Sequence, residues 1–369
     1  MRPANIVRLG AVCAAVMVGA CGFSPSKPPS GSAGSSGGTS SPIGGFGGAG
    51  ATQAGQAGQG GNMSCGTVDR QSNKLPPDIL IVLDRSGSMQ QDPATGQNCT
   101  TPGCSKWDQT TSAINQVLGQ TDTTVNWGLK LFGTNNGCTV SNMTENPVMP
   151  MNAMAIQTRI AGTTTGSNTP TRAGIQAATT YLAGLADPNP KFILVATDGS
   201  PNCPATCSGN NCNMTPNPAE EQAVVDAITA AAGMNIKTFV VGIATASDPD
   251  ADMTLTNMAN AGGVPRMGTP SYYPVASQAD LVTALGQIVT VAASCIFPIP
   301  NPPTNDGTTS KGDIQVKGDN TVIPPLDPNN GWTYTDAAMS GIELHGSACD
   351  MVKAGNIQTV TIVFNCHVA

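Results

Sequence analysis

Three continuous apolar runs constrain the fold more than any other feature of this 369-residue sequence. They occupy residues 78–83, 191–196 and 236–243. Such runs are typical of central parallel strands that helices cover on both faces. Apolar residues also recur at helical spacing over residues 169–185, 218–232, 250–261 and 277–293. This alternation predicts an α/β fold, doubly wound and Rossmann-like, around a mostly parallel central sheet.

Other segments indicate how the chain is divided. Residues 125–132 alternate between apolar and other side chains, so we expect a strand nearer an edge of the sheet. Beyond Cys295, four prolines between 298 and 303 predict a stiff connector. Short strand-like segments follow at 314–317, 331–334, 341–345 and 359–364. We therefore predict an α/β domain over residues 65–295 and a small β-rich module over 296–369.

The N-terminus has the features of an export signal. Arg2 and Arg8 precede a largely apolar stretch from Leu9 to Ala20, which is too short to span a membrane. Residues 18–21 resemble a bacterial lipobox, which implies cleavage of residues 1–20 and lipidation of Cys21; an ordinary signal peptide is the alternative. Residues 21–64 are rich in Gly and Ser with a single charge, Lys27, and predict a disordered tether. We expect an exported protein, lipid-anchored at the outer membrane or cell surface of a bacterium.

Charge and cysteine content narrow the function classes. The net charge is -7, from 16 Lys+Arg against 23 Asp+Glu, so the cationic surface of a nucleic-acid binder is missing. Of 12 cysteines, loss of Cys13 with the signal and lipidation of Cys21 leave ten, enough for five disulfides in an oxidising compartment. The candidates are Cys65, Cys99, Cys104, Cys138, Cys203, Cys207, Cys212, Cys295, Cys349 and Cys366.

The sequence does not fix which cysteines pair. We consider a Cys65–Cys295 bond that clasps the ends of the α/β domain and a Cys349–Cys366 bond that staples the small module. Zinc ligation by Cys203, Cys207 and Cys212 is an alternative to disulfides. The cysteine-bearing loops follow strands whose carboxyl ends share one edge of the sheet, so we also expect at least one disulfide between different loops.

Polar residues collect where two of the apolar runs end. Asp84, Ser86 and Ser88 form a D-x-S-x-S sequence directly after the first run, and Asp198 follows the second. A loop containing Thr169 precedes a predicted helix. Ligands of doubly wound sheets bind at the carboxyl ends of strands, and carboxylate and hydroxyl oxygens suit hard cations such as Mg²⁺.

With these motifs in this order, residues 74–294 resemble the von Willebrand factor type A (VWA) family and its metal-ion-dependent adhesion site (MIDAS). The resemblance implies that Ser86, Ser88 and Thr169 supply hydroxyl oxygens, while Asp84 and Asp198 act directly or through water. Thr171 is the alternative loop ligand. A second, neighbouring metal site would need more acidic residues than Asp92 alone.

The resemblance implies binding rather than turnover. Mg²⁺ or Mn²⁺ would be the cofactor, and an Asp or Glu of a protein partner would complete its coordination. Two alternatives stay open: a structural envelope protein that the cation only stabilises, and a metal-dependent hydrolase. For an enzyme, both histidines, His345 and His367, lie outside the α/β domain, which leaves no catalytic base of that type within it.

Overall fold

The computed structural model describes residues 68–133, 137–204, 218–245, 249–301 and 309–366. The predicted signal peptide, Cys21, the tether, Cys65, Cys207, Cys212, His367 and the side chain of Cys366 lie outside the described residues. No described helix combines the length and apolar character that crossing a membrane requires.

A six-stranded sheet forms the centre of the α/β part. Its strands are β2 (Asp78–Asp84), β3 (Asn126–Phe132), β4 (Asn146–Met149), β5 (Lys191–Thr197), β6 (Ile236–Ile243) and β7 (Tyr273–Val275). The spatial order is β4-β3-β2-β5-β6-β7, and every neighbouring pair is parallel except β3 with β4. From β2 the chain adds β3 on one side and β5 on the other, and ligands of doubly wound sheets bind at the carboxyl ends of strands at such a switch in strand order.

Six helices in the described part of the chain cover the two faces of this sheet. They are α1 (Lys106–Thr121), α2 (Ala153–Ala161), α3 (Thr171–Ala183), α4 (Pro218–Gly233), α5 (Pro249–Ala261) and α6 (Gln278–Ala292). Helices α1, α2 and α6 pack with Ile79, Ile81 and Leu83 of β2 on one face. Helices α3, α4 and α5 pack with Leu80 and Val82 on the other. The predicted doubly wound architecture is therefore confirmed.

Strand β3 lies next to the edge of the sheet, as predicted, and the edge itself is the unpredicted strand β4. Strand β3 is fully buried, because the short antiparallel strand β4 pairs with its outer side. Strand β4 contains Pro147, which is compatible with an edge strand. Helices α1 and α2 were not predicted, since polar residues interrupt their apolar spacing.

The described residues of the C-terminal part form two antiparallel sheets and one helix. Its elements are β8 (Ile296–Pro298), β9 (Thr309–Gly318), β10 (Thr321–Ile323), β11 (Trp332–Tyr334), β12 (Gly341–Leu344), α7 (Gly346–Lys353) and β13 (Val360–Cys366). One sheet has the order β11-β12-β8. The other has the order β1-β13-β9-β10, where β1 is Val68–Ser72. Residues of both sheets and α7 share one hydrophobic cluster, separate from those of the α/β part.

Strand β1 shows that this module is discontinuous in sequence. It pairs along its length with β13, so residues 68–72 belong to the module rather than to the α/β domain predicted over 65–295. The Ser72 hydroxyl also donates to the carbonyl of Pro298, which lies in β8 and not in a connector. The α/β domain is thus inserted between β1 and the remainder of the module.

The disulfide of this module differs from both predicted pairings. Cys295 is bonded to Cys349, so neither Cys65–Cys295 nor Cys349–Cys366 forms. Strand pairing explains the choice: β8 lies beside β12, and Leu344 N–H donates to the Cys295 carbonyl at 3.0 Å. Because α7 begins two residues after β12, Cys349 is brought back to Cys295.

Candidate metal centre

Asp84 is the fixed centre of the predicted site. It ends β2, is fully buried, and accepts the Ser86 backbone N–H at 2.7 Å through Oδ1. Its Oδ2 accepts the Thr197 hydroxyl at 2.6 Å from the end of the neighbouring strand β5. Both carboxylate oxygens therefore have assigned partners, and the side chain is held at the carboxyl edge of the sheet.

The two serines and Asp198 form a continuous chain of contacts. The Ser86 and Ser88 hydroxyl oxygens lie 3.1 Å apart, and the Ser88 hydroxyl donates to Asp198 Oδ1 at 2.9 Å. The structure thus brings together four of the five predicted ligands, from the loops that follow β2 and β5.

Thr169 is positioned through its backbone. Its N–H donates to the Asn202 side-chain oxygen at 2.8 Å, and its carbonyl accepts the Asn202 N–H at 3.3 Å. The neighbouring Gly87 N–H donates to the Ser167 carbonyl at 3.3 Å, which joins this loop to the D-x-S-x-S segment. Thr171, the alternative ligand, begins α3, and its buried hydroxyl has no hydrogen-bond partner among the described residues.

The loops approach closely at Gly133, directly after β3. Gly133 has φ +89°, and a Cβ atom there would lie 2.8 Å from Ser86 N and 2.9 Å from the Asn168 carbonyl oxygen. Any other residue would push the two ligand-bearing loops apart. Glycine is therefore required here for space as well as for conformation.

A disulfide crosses the same edge. Cys138 and Cys203 join the loop after β3 to the loop after β5, as the prediction of a loop-to-loop bond requires. Cys203 adjoins Asn202, and the Asn168 amide lies 3.9 Å from the Cys138 sulfur, so the bond borders the Thr169 loop. Because Cys203 is in a disulfide, zinc ligation by Cys203, Cys207 and Cys212 is wrong.

The second bond at this edge is local. Cys99 pairs with Cys104, five positions away, and their sulfurs lie near an Asp92 oxygen. Disulfide sulfurs lack the thiolate charge that binds metals. Asp92 instead accepts backbone N–H groups from Ala94 and Thr95 in a tight turn, which holds the pKa of its carboxyl below the usual range. The described residues offer no second cation site around Asp92.

The electrostatics of the centre favour a cation. Burial, and next the nearby charge of Asp198, raise the pKa of Asp84 from 3.8 to about 7, although hydrogen bonds from Thr197 and Ser86 oppose the shift. The raised pKa means that the buried Asp84 carboxylate receives too little positive charge from its surroundings. Oxygen donors with excess negative charge are the set that Mg²⁺ and Mn²⁺ prefer, so these residues fit a divalent cation.

Three further residues act here that the sequence did not reveal. Thr197 holds Asp84, Asn202 holds the Thr169 backbone, and the Lys106 ammonium donates to Asp198 Oδ2 at 2.9 Å. Thr197 and Asn202 flank Asp198 and were detectable only as polar neighbours of a predicted ligand. Lys106 lies 92 positions from Asp198 and gave no local signal.

The comparison with known families agrees with this geometry. The sequence profile of the von Willebrand factor type A domain matches residues 78–282. The chain belongs to the VWA family. Within the VWA domain, the matched residues include every predicted ligand from Asp84 to Asp198. No curated protein matches the chain.

Several solved structures are similar in fold. SpaC, a pilus adhesin from Lactobacillus rhamnosus GG, has 12% identity and a TM-score of 0.45, over 81% of this chain and 40% of that chain. PilB, a minor pilin from Streptococcus sanguinis, has 17% identity and a TM-score of 0.44, over 59% and 61%. Proximal thread matrix protein 1 from the mussel byssus, with a zinc-occupied MIDAS motif, has 13% identity and a TM-score of 0.41, over 62% and 50%. This chain spans less than two thirds of each.

Proposed function

We propose that this protein is an exported, lipid-anchored envelope protein that binds a protein partner through a divalent cation, without catalysing a reaction. The observation that carries the proposal is the convergence of Ser86, Ser88 and Asp198 oxygens above the buried Asp84. Mg²⁺ or Mn²⁺ held there would offer its open coordination position to an Asp or Glu carboxylate of the partner.

Each residue has a distinct part in this binding. Ser86 and Ser88 present hydroxyl oxygens on a short 3-10 turn whose carbonyl and N–H contacts fix its path. Asp84 and Asp198 supply negative charge from positions that Thr197 and Lys106 hold. The Thr169 loop closes the third side, and the Cys138–Cys203 bond keeps it close to the others. Rigid placement reduces the ordering cost of capturing a partner.

Strand β2 places the metal centre at the edge of the sheet opposite to the module. Strand β2 runs from Asp78, near the module, to Asp84 at the metal centre, and Leu75 N–H donates to the Ile296 carbonyl at 2.9 Å. Seven residues of strand correspond to about 20 Å. The chain therefore enters the α/β domain at the edge opposite the metal centre.

The proposal is tested by calorimetric titration of the purified protein with Mn²⁺, comparing wild type with Asp198→Ala. We expect measurable binding that the substitution weakens by about 10- to 100-fold. Asp92→Ala is the matched control at the same edge, because its carboxylate serves a separate turn, and it should retain wild-type affinity. Absence of Mn²⁺ binding to wild type contradicts the proposal.

A second experiment separates partner binding from a purely structural role of the cation. Once a partner is identified, its binding is compared in Mn²⁺ and in EDTA, at a temperature where the metal-free protein stays folded by circular dichroism. Loss of binding in EDTA supports capture through the cation. Equal binding in both supports the alternative of a protein that the cation only stabilises.

A further inference from the structure

Lys106 is a buried cation placed against the metal centre. Its ammonium lies 2.9 Å from Asp198 Oδ2, and the Asp198 side chain is itself completely buried. The same carboxylate accepts the Ser88 hydroxyl on its other oxygen. Asp198 is therefore shared between a ligand-bearing serine and a fixed positive charge.

The location of Lys106 is unfavourable for ordinary helix stability. It is the first residue of α1, after the N-cap Ser105, where the helix dipole already presents positive charge. A buried ammonium also loses its hydration and depends on its partner. Lysine therefore destabilises the start of α1, and the contact with Asp198 offsets this cost.

Charge counting shows what this lysine does to a bound cation. Ionised Asp84 and Asp198 contribute two negative charges, and Lys106 cancels one of them. A divalent cation then gives the centre a net charge of about +1, whereas without Lys106 the centre would be neutral. In the described part of the chain, neither aspartate has another ion-pair partner.

We infer that Lys106 sets a balance at this centre: it weakens the retention of the divalent cation and strengthens the capture of an anionic ligand by the loaded site. The inference rests on the proposed function and adds a determinant of ligand charge. A residual positive charge attracts a carboxylate and discriminates against neutral oxygen ligands. It also repels the incoming cation, so the two affinities change in opposite directions when the charge is removed.

The test uses the full protein, with Mn²⁺ as the metal probe and acetate as the carboxylate probe. Calorimetry measures Mn²⁺ affinity, and water-proton relaxation of the Mn²⁺-loaded protein measures acetate affinity. For Lys106→Gln we expect Mn²⁺ to bind about tenfold more tightly or better, and acetate to bind at least about threefold more weakly. Lys106→Arg keeps the charge and should leave both affinities within about threefold of wild type.

Lys191→Gln is the matched control. Lys191 is also an ion-paired lysine, 3.1 Å from Asp187, but it lies at the start of β5, at the opposite edge of the sheet. It should change neither affinity. If Lys106→Gln folds poorly by circular dichroism, Lys106→Met, which keeps the apolar stem, repeats the comparison.

The outcomes are distinct. Weakening of both affinities in Lys106→Gln would mean that the lysine only supports the fold, and unchanged affinities would mean that its charge has no effect; either overturns the inference. Failure of wild type and variant alike to bind Mn²⁺ overturns both proposals. Binding by the variant but not by wild type contradicts the proposed function while supporting repulsion of the cation by Lys106.

Discussion

At the scale of single residues, the sequence indicated which polar side chains meet at the carboxyl edge of the sheet. It did not indicate the residues that hold these side chains in place. Two apolar runs end just before the polar residues of the site, which made these residues predictable: Asp84, Ser86, Ser88 and Asp198. Lys106 was not, since its role exists only once α1 lies beside the end of β5. Spacing along a chain identifies residues that share a strand end, but it does not identify partners that tertiary packing supplies.

Thr169 and Thr171 can be distinguished by substitution. Thr169→Ala should weaken Mn²⁺ binding by about tenfold or more, because the loop would lose a hydroxyl ligand while its backbone contacts to Asn202 remain. Thr171→Ala removes a buried hydroxyl without a hydrogen-bond partner among the described residues, so we expect little loss of stability and unchanged metal affinity. Calorimetry and urea unfolding measure both effects. The reverse order of metal affinities would assign the ligand to Thr171.

Asp78 makes a pH-dependent contribution to stability at the opposite end of β2. Burial is the main cause that raises its pKa from 3.8 to about 6, despite hydrogen bonds from Asn126 and Asn189. The folded state thus binds this proton more tightly than the unfolded chain does. Its contribution is present below about pH 4 and is lost as the pH rises through about 6.

Asp78→Asn isolates this effect. The amide keeps an acceptor for the two asparagines and cannot ionise, so wild type should lose about 1 to 3 kcal/mol relative to the variant between pH 4 and pH 7. Urea unfolding at a series of pH values in EDTA gives the difference. A constant difference across this range would show that Asp78 titrates normally.

At the scale of elements, continuous apolar runs predicted the central strands well. Residues 236–243 matched β6 at both ends, and the runs at 78 and 191 fell short of β2 and β5 by one residue. Short elements were missed, because β4 and β8 carry prolines and obtain their stability from a neighbouring strand. Helix α1 was missed because its buried face includes Lys106, Thr110 and Thr111.

Gly133 lies where β3 ends, against the two loops that carry the predicted metal ligands. Gly133→Ala combines a positive φ with backbone atoms at 2.8 and 2.9 Å, so we expect a loss of about 3 kcal/mol or more and weaker Mn²⁺ binding. Gly96→Ala is the control, since Gly96 also has positive φ, +68°, but a Cβ there meets nothing within 4 Å. It should cost about 1 kcal/mol. Similar losses in both would mean that the loops adjust to an added methyl group.

The Cys138–Cys203 bond should matter more than Cys99–Cys104. It closes 65 residues rather than 5, and a longer closed loop removes more entropy from the unfolded chain. Replacing Cys138 and Cys203 together with alanine should lower the free energy of unfolding by about 2 kcal/mol more than the same change at Cys99 and Cys104. It should also weaken Mn²⁺ binding, because the Thr169 loop loses its link. Equal effects would show that the bond only stabilises the chain locally.

At the scale of the whole molecule, the sequence indicated two parts but not that one is inserted into the other. The change in composition after Cys295 correctly indicated a second, β-rich part. It did not reveal that β1, more than 280 residues before β13 in the sequence, completes one of its sheets. Antiparallel pairing between distant segments leaves no periodic signal in either segment alone.

This insertion predicts that metal binding protects one part of the protein and not the other. The α/β part has its own hydrophobic clusters, while the module encloses a separate one. A cation that binds only the folded centre stabilises the unit that contains it, by about 2.7 kcal/mol at 100 times the dissociation constant. Hydrogen exchange with and without Mn²⁺ should therefore show slower exchange in β2 and β5 and unchanged exchange in β9 and β13. Asp198→Ala serves as the control, because its weaker binding at the same Mn²⁺ concentration should reduce the stabilisation to about 0.4 to 1.4 kcal/mol and the slowing of exchange in β2 and β5 accordingly. Equal protection of both groups in wild type would mean that the two parts unfold together, and that the inserted domain transmits metal binding to the module at the opposite edge.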